Sequence, residues 1–192
     1  MSGIIFNYTL MFVAILLVAS LAGYLSEHVG IVNIGIDGMM CFGAVFFAIF
    51  SAPMFKMSNV GPGMFIFPLI MTMALTSITG VMHAFASIKL KANHIISGTV
   101  INLIGVAFAA FVNAPLGNVF YGQTRLASGF NDFLYLGNSI YGSSIIMCLL
   151  AVIIAVVIFI FMHYTRVGLR YRAVGENPNA VDAQGINVTK YQ

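Results

Sequence analysis

The apolar residues of this chain come in long blocks separated by short polar breaks. A block of about 20 mostly apolar residues is what an α-helix needs to cross the hydrocarbon core of a bilayer. Five blocks reach that length: 6–25, 33–52, 64–88, 94–115 and 141–163. The third contains no Asp, Glu, Lys or Arg, and the fifth carries the strongest signal, S-S-I-I-M-C-L-L-A-V-I-I-A-V-V-I-F-I-F. The longest internal polar break, 116–140, holds Arg125 and Asp132. The pattern predicts an all-α, polytopic transmembrane helix bundle with about five spans over residues 1–164. A polar segment follows at 165–192.

Composition excludes the soluble alternative. The chain is 60% hydrophobic and 7% charged, against roughly 25% charged for soluble domains. With a mean hydropathy of +1.01, it has too little polar surface to cover a water-facing core. A net charge of +3, scattered along the chain, excludes nucleic acid as a partner. Cys41 and Cys148 lie in apolar blocks without CxxC spacing and read as small buried side chains. The N-terminal block has no positive n-region and is too long for a secretory signal.

Placement of charge orients the bundle. Lys and Arg gather on the cytoplasmic ends of spans. If 165–192 is cytoplasmic, alternation puts Lys89, Lys91, Arg166, Arg170, Arg172 and Lys190 inside and only Lys56 and Arg125 outside. The N-terminus then lies outside. Tyr8, Tyr24, Tyr141 and Tyr164 sit near span ends, as interfacial anchors do. Ala19/Gly23 and Gly105/Ala109 are small pairs four apart that permit close helix approach.

Polar side chains within spans are costly and mark either helix contacts or function. Asn33 and Asp37 are four apart. Either Asp37 caps the second span where G-I-D-G-M-M enters the membrane, or N-I-G-I-D-G is a broken segment lining a cavity. The fourth span opens K-A-N-H-I-I-S-G-T-V-I-N, so Asn93, His94, Ser97, Thr99 and Asn102 are too many polar groups to face lipid. They either hydrogen-bond between helices or line a translocation path, and His83 has the same two readings. His163, at a span end, reads as interfacial. No histidine pair has HxxxH spacing, so no metal site is expected.

Catalytic patterns are missing as well. There is no G-x-x-x-x-G-K-[ST] phosphate loop, no G-x-S-x-G, and no span with two carboxylates. No cofactor is expected in this chain, and nucleotide-driven work would need another subunit.

The closing segment reads T-R-V-G-L-R-Y-R-A-V-G-E-N-P-N-A-V-D-A-Q-G-I-N-V over 165–188, and six of the chain's 13 charged residues fall in the last 28 positions. Arg166, Arg170 and Arg172 suit contact with phosphate-rich membrane lipid. Gly175 can end a helical turn, and N-P at 177–178 can begin another. Residues 178–184 then form a short, small-faced surface helix closed by Gly185. Such a helix suits a groove on a partner.

These residues also carry a resemblance. The pattern T-R-x-G-L-R-x-R-A-V-G-E-N-P-x-A-x-D-x-x-G-I-N-V resembles the cytoplasmic loop of bacterial ABC importer permeases of the branched-chain amino acid and simple-sugar class. N-I-G-I-D-G-M-M resembles that class's N-I-G-x-E-G-M-M, with Asp37 standing where Glu is common. N-H-I-I-S-G-T-V-I-N resembles the nucleoside-type branch. The resemblance implies a plasma (inner) membrane permease that translocates nucleosides. Its loop would couple to an ATPase through Gly168, Arg170, Arg172, Ala173, Gly175, Glu176, Asn177, Pro178, Ala180, Asp182 and Gly185. The implied partners are an ABC ATP-binding subunit that uses ATP and Mg, a sister or identical permease subunit, and an extracytoplasmic solute-binding protein. That class continues with more spans after the loop, so these 192 residues are expected to be the N-terminal part of a permease.

A permease for simple sugars or branched-chain amino acids is the alternative within transport. A non-transporting membrane scaffold is the alternative outside it. A membrane-embedded enzyme is a third option, weakened by the absence of paired catalytic residues.

The orientation is testable in intact cells after replacement of Cys41 and Cys148. Single cysteines at 89–91 and 166–190 should resist an impermeant thiol reagent, and one within 118–132 should react. The opposite pattern would overturn the charge-based orientation.

Overall fold

The computed structural model describes residues 2–51, 66–116 and 142–191. Every regular element among them is helical. In chain order these are α1 (Ser2–Glu27), α2 (Ile36–Ser51), α3 (Ile66–Ala84), a π-helical turn (Phe85–Lys89), α4 (His94–Leu116), α5 (Gly142–Tyr164), α6 (Arg166–Glu176) and α7 (Pro178–Ala183), ending in a 3₁₀ turn (Val188–Lys190). The fold is the polytopic helical bundle that the hydrophobic blocks predict. Lys56, Arg125, Asp132, Tyr141 and the polar break from 117 onward lie outside the described residues.

Four of the helical stretches are long and apolar enough to cross a membrane: Ile5–Glu27, Ile66–Lys89, His94–Val112 and Ser144–Tyr164. Their outward faces carry large apolar side chains such as Phe12, Leu103, Phe111 and Ile153. In water such surface would drive aggregation; in a bilayer it meets hydrocarbon. The block at 33–52 begins later than expected: its helix starts at Ile36 and is helical to Ser51, the last described residue before 66. Residues 31–35 are not helical, and Gly30, just after α1, has φ +81°.

The chain divides into two compact units, residues 1–34 with 136–192, and residues 35–135. In the first, α1 packs along α5, and α6 and α7 fold back after it. Its buried apolar residues include Ala14, Ala151, Met162 and Val174. Leu17, Leu21, Tyr24, Val152 and Phe159 line an apolar groove of about 560 Å³ between α1 and α5.

In the second unit, α2 packs against both α3 and α4. Phe42, Phe46 and Phe108 form an aromatic cluster, with Phe108 centred 5.3 Å from Phe42 and 5.9 Å from Phe46. One turn away the helices cross on glycine. A Cβ on Gly105 would lie 2.6 Å from the Gly38 carbonyl oxygen, and one on Gly38 would lie 2.7 Å from the Asn102 Cα. With lipid outside as apolar as Leu, this close backbone approach is a main source of helix association.

Gly105→Ala should therefore prise α2 from α4 and destabilise the protein by about 2–3 kcal/mol, in the range of overpacked cores. Gly80→Ala is the control, because a Cβ there meets nothing within 4 Å. The check is the thermal midpoint of each variant in detergent. Equal midpoints would show that the crossing is not tight.

Candidate functional site

The segment after α5 is built by local capping. Thr165 leaves helical geometry with φ −102°, and its Oγ1 accepts from the Gly168 N–H at 3.0 Å. The same hydroxyl donates to the Phe161 carbonyl at 2.6 Å, so one side chain closes α5 and opens α6. Asn177 repeats the device. Its backbone N–H ends α6 on the Ala173 carbonyl, and its Oδ1 accepts from Ala180 N–H at 3.1 Å. Pro178 follows at the first helical position, where its missing N–H costs nothing. Gly185, with φ +77°, closes α7 by donating to the Asp182 carbonyl at 2.8 Å.

Gly175 does not end a helix, contrary to expectation. It lies within α6, which runs on to Glu176. Its role is contact: a Cβ there would strike the His28 carbonyl, with Gly30 N only 3.3 Å away. Gly168 is similar, since a Cβ would strike the Phe161 carbonyl and lie 2.6 Å from the Met162 Cα. Both glycines let α6 lie directly on backbone of its own unit.

Burial divides the predicted coupling residues into two groups. Gly168 is buried, and Arg172, Ala173 and Gly175 are half-buried. Arg170, Glu176, Asn177, Pro178, Ala180, Asp182 and Gly185 are exposed. Arg170 is tied back, donating from Nη1 to the Tyr191 hydroxyl at 3.1 Å. Arg172 keeps a buried Nε without a partner, and burial raises the Tyr171 hydroxyl above the usual phenol range. What α6 and α7 present outward is Arg166, Val167, Leu169 and Arg170 and, further on, a run of small and polar groups from Glu176 to Asp182 in which Val181 is buried.

The predicted path residues are also divided. Asn33 and Asp37 do not share a helix face, because Asn33 precedes α2 in the non-helical stretch. Asp37 is exposed in the first turn of α2, where its charge complements the helix dipole. Of its two readings, the capping one is not what the structure shows. The Gly38 N–H of that turn donates instead to Asn102 Oδ1, 2.7 Å away on α4. Asn93 is exposed and caps α4, its Oδ1 accepting from Ile95 N–H at 2.9 Å. Thr99 is exposed and satisfies its hydroxyl on its own helix, at the Ile95 and Ile96 carbonyls. Ser97 meets His83 Nδ1 at 3.0 Å, so α3 and α4 share a polar contact. His94 has a buried Nδ1 with no partner.

Sequence reasoning missed three residues on α3 and its π-helical turn. The Thr72, Thr76 and Ser87 hydroxyls are buried and unpaired, as is His83 Nε2. The signal was present in the spacing, since 72, 76, 83 and 87 fall at intervals of four, seven and four on one helical face. Among the described residues no group of three His, Cys, Asp or Glu could hold a metal.

A motif-bearing, capped loop following a set of apolar helices is a family-level signature, and comparison with known proteins gives it a name. The family of branched-chain amino acid transport system permease components matches residues 4–192. The chain belongs to that family. An MG121 homolog of Mycoplasma pneumoniae is 40% identical over 179 residues, covering 92% of this chain and 57% of that protein. The nucleoside ABC transporter permease protein NupC of Lactococcus lactis is 32% identical over 190 residues, covering 92% and 57%. The guanosine ABC transporter permease protein NupQ of Bacillus subtilis is 31% identical over 197 residues, covering 98% and 60%. The chain spans little more than half the length of these permease relatives. No solved structure matches it.

Asn177 supplies the cap on which the outward run of the permease loop depends. Asn177→Ala should weaken α7 by about 1 kcal/mol and speed hydrogen exchange at 180–186, and Asn177→Asp should restore protection. Unchanged exchange in the Ala variant would show that α7 is held by other contacts.

Proposed function

We propose that this chain is a permease subunit of an ATP-driven importer in the bacterial inner membrane, and that the importer takes up nucleosides. The observation that carries the reading is the rigidly seated, outward-facing run from Glu176 to Asp182. Two glycine contacts and two side-chain caps hold it in place, and it has the small side chains that suit a groove on another protein. In this reading the run docks on a separate ATP-binding subunit at the cytoplasmic face, where ATP and Mg are used. Gly168 and Gly175 position it without touching the partner. Arg166 is free to meet lipid phosphate. A sister or identical permease subunit completes the pathway, and an extracytoplasmic binding protein delivers the solute.

The nucleoside assignment has two supports. Two relatives, NupC and NupQ, are by name a nucleoside and a guanosine permease. The described polar groups on α3 and α4 are also hydroxyls, amides and imidazoles, with no Asp, Glu, Lys or Arg among them, chemistry that suits an uncharged base and ribose better than an aliphatic amino-acid side chain. Simple-sugar transport, branched-chain amino acid transport and a non-transporting scaffold are the outcomes against which the reading is tested.

Membrane vesicles holding the permease with its ATP-binding subunit should take up labelled guanosine or adenosine. Other nucleosides should compete, and leucine and ribose should not. Glu176→Lys should reduce both uptake and solute-stimulated ATP hydrolysis about tenfold or more, the effect of losing ~1.4 kcal/mol of docking free energy, at normal membrane level. Competition by leucine or ribose alone would reject the substrate, and full activity of the Lys variant would reduce the loop to a lipid anchor.

A further inference from the structure

Hydroxyl groups on a membrane helix ordinarily satisfy themselves on the carbonyl three or four residues back. This chain follows the rule at Ser77, which donates to Ala74, at Thr79, which donates to Thr76, and at Thr99. Among the described residues, three hydroxyls break it. Thr72, Thr76 and Ser87 have oxygens buried from solvent and bonded to nothing, and His83 leaves its Nε2 in the same condition. Thr72, His83 and Ser87 are 9%, 3% and 6% exposed, so bulk water does not satisfy them.

Asn7 Oδ1 on α1 and His94 Nδ1 on α4 are also buried and unpaired, but the four on α3 and the turn after it are not scattered. They fall at intervals of four, seven and four along α3 and the π-helical turn after it, which places them in one stripe. Fifteen residues at the helical rise make the stripe about 22 Å long, most of the roughly 30 Å hydrocarbon thickness. Met73 and Val81, off the stripe, are 64% and 66% exposed and wholly apolar. Gly43 of α2 stands opposite Thr76, where a Cβ would lie 3.5 Å from the hydroxyl, in ordinary van der Waals contact. The lower end of the stripe lies in a π-helical turn, an interruption of the regular ladder that often marks functional sites. A buried polar atom without a partner is expensive and calls for an explanation. Four in register, on a helix that crosses the membrane, share one.

We propose that Thr72, Thr76, His83 and Ser87 form a hydrogen-bonding track on which an uncharged polar solute crosses the membrane. Hydroxyl and imidazole groups both donate and accept, so the track can follow a solute bearing hydroxyls and ring nitrogens without presenting it a charge. It holds no Lys, Arg, Asp or Glu to neutralise a zwitterion. The hydroxyls and the free imidazole nitrogen stay unpaired because their partner is the cargo. A track already satisfied on its own helix would have to break those bonds at every step. Its chemical class, a nucleoside, rests on the reading proposed above; the track itself does not.

The test uses the permease assembled with its ATP-binding subunit in membrane vesicles, with Cys41 and Cys148 replaced by Ala. During ATP-driven turnover, when the buried stripe must open to water for a solute to pass, single cysteines at Thr72, Thr76 and Ser87 should react with a small water-soluble methanethiosulfonate about tenfold faster than cysteines at Met73 and Val81, because a thiol facing hydrocarbon stays protonated and unreactive. Without ATP the stripe should stay closed and react slowly, and guanosine should slow the turnover rates. Stripe positions that react no faster than the lipid-facing pair would overturn the proposal. Fast labelling that guanosine leaves unchanged would uphold the track and reject the nucleoside. As a second readout that leaves side-chain volume nearly constant, Thr76→Val should raise the KM for uptake severalfold, and Thr79→Val, whose hydroxyl is already paired, should leave it unchanged. Equal KM values for the two would make the Thr76 hydroxyl merely structural.

Discussion

Hydrocarbon offers the backbone no hydrogen-bond partner, so wherever the helical ladder of this chain opens at membrane depth, another group of the protein must close it. Most of the described structure follows from that constraint. The apolar blocks become helices because the ladder satisfies itself. Where α2 begins and its first N–H groups have no carbonyl behind them, Asn102 reaches across from α4 to accept from Gly38. That bond requires the two backbones to be close, and glycine at 38 and 105 makes them so. A polar residue in an apolar span and a glycine in a helix are both unfavourable alone. Together they fix one crossing.

The link between α3 and α4 meets the same constraint by different means. The chain widens into a π-helical turn, Leu90 N–H donating to the Phe85 carbonyl, and reverses through Lys91 at φ +50°, a conformation uncommon outside glycine. Lys89 and Lys91 lie at this turn with exposed side chains, as cations at a membrane surface should. The turn also brings Ser97 of α4 onto His83 of α3, so a polar contact that hydrocarbon would penalise is made within protein.

At the C-terminal segment the controlling feature is backbone contact rather than charge. Gly168 and Gly175 lie against carbonyls of their own unit, and Thr165 and Asn177 each serve two helices by capping. The segment therefore holds a fixed shape although it is polar and broken by Gly and Pro. Its arginines differ in their surroundings: Arg170 is engaged by Tyr191, and Arg172 is half-buried. The exposed part is Arg166, Val167, Leu169 and Arg170 together with most of the stretch from Glu176 to Gly185. That allocation separates residues that shape the loop from residues that a partner could touch, a distinction invisible in a motif where all are equally spaced along the chain.

The sequence alone determined the helical class, the membrane setting and the resemblance carried by 165–188, because each depends on composition or local order. It also contained the α7 cap, since Asn177, Pro178 and Gly185 act on near neighbours. Long-range contact decided the rest. Asp37 looked like a cap, but the acceptor for Gly38 comes from a residue 64 positions away. Gly175 looked like a helix end, but it is a contact point for the turn at 28–30. Asn93 and Thr99 read equally as helix contacts or path residues, and the structure adds that one caps α4 and the other bonds its own helix. Thr72, Thr76 and Ser87 drew no reading from the sequence, and only the packed structure distinguishes their buried, unpaired oxygens from the hydroxyls of Ser77 and Thr79, which bond their own helix. Spacing shows which face of a helix a side chain occupies; what lies against that face, and whether it supplies a hydrogen bond, is settled only when the helices pack.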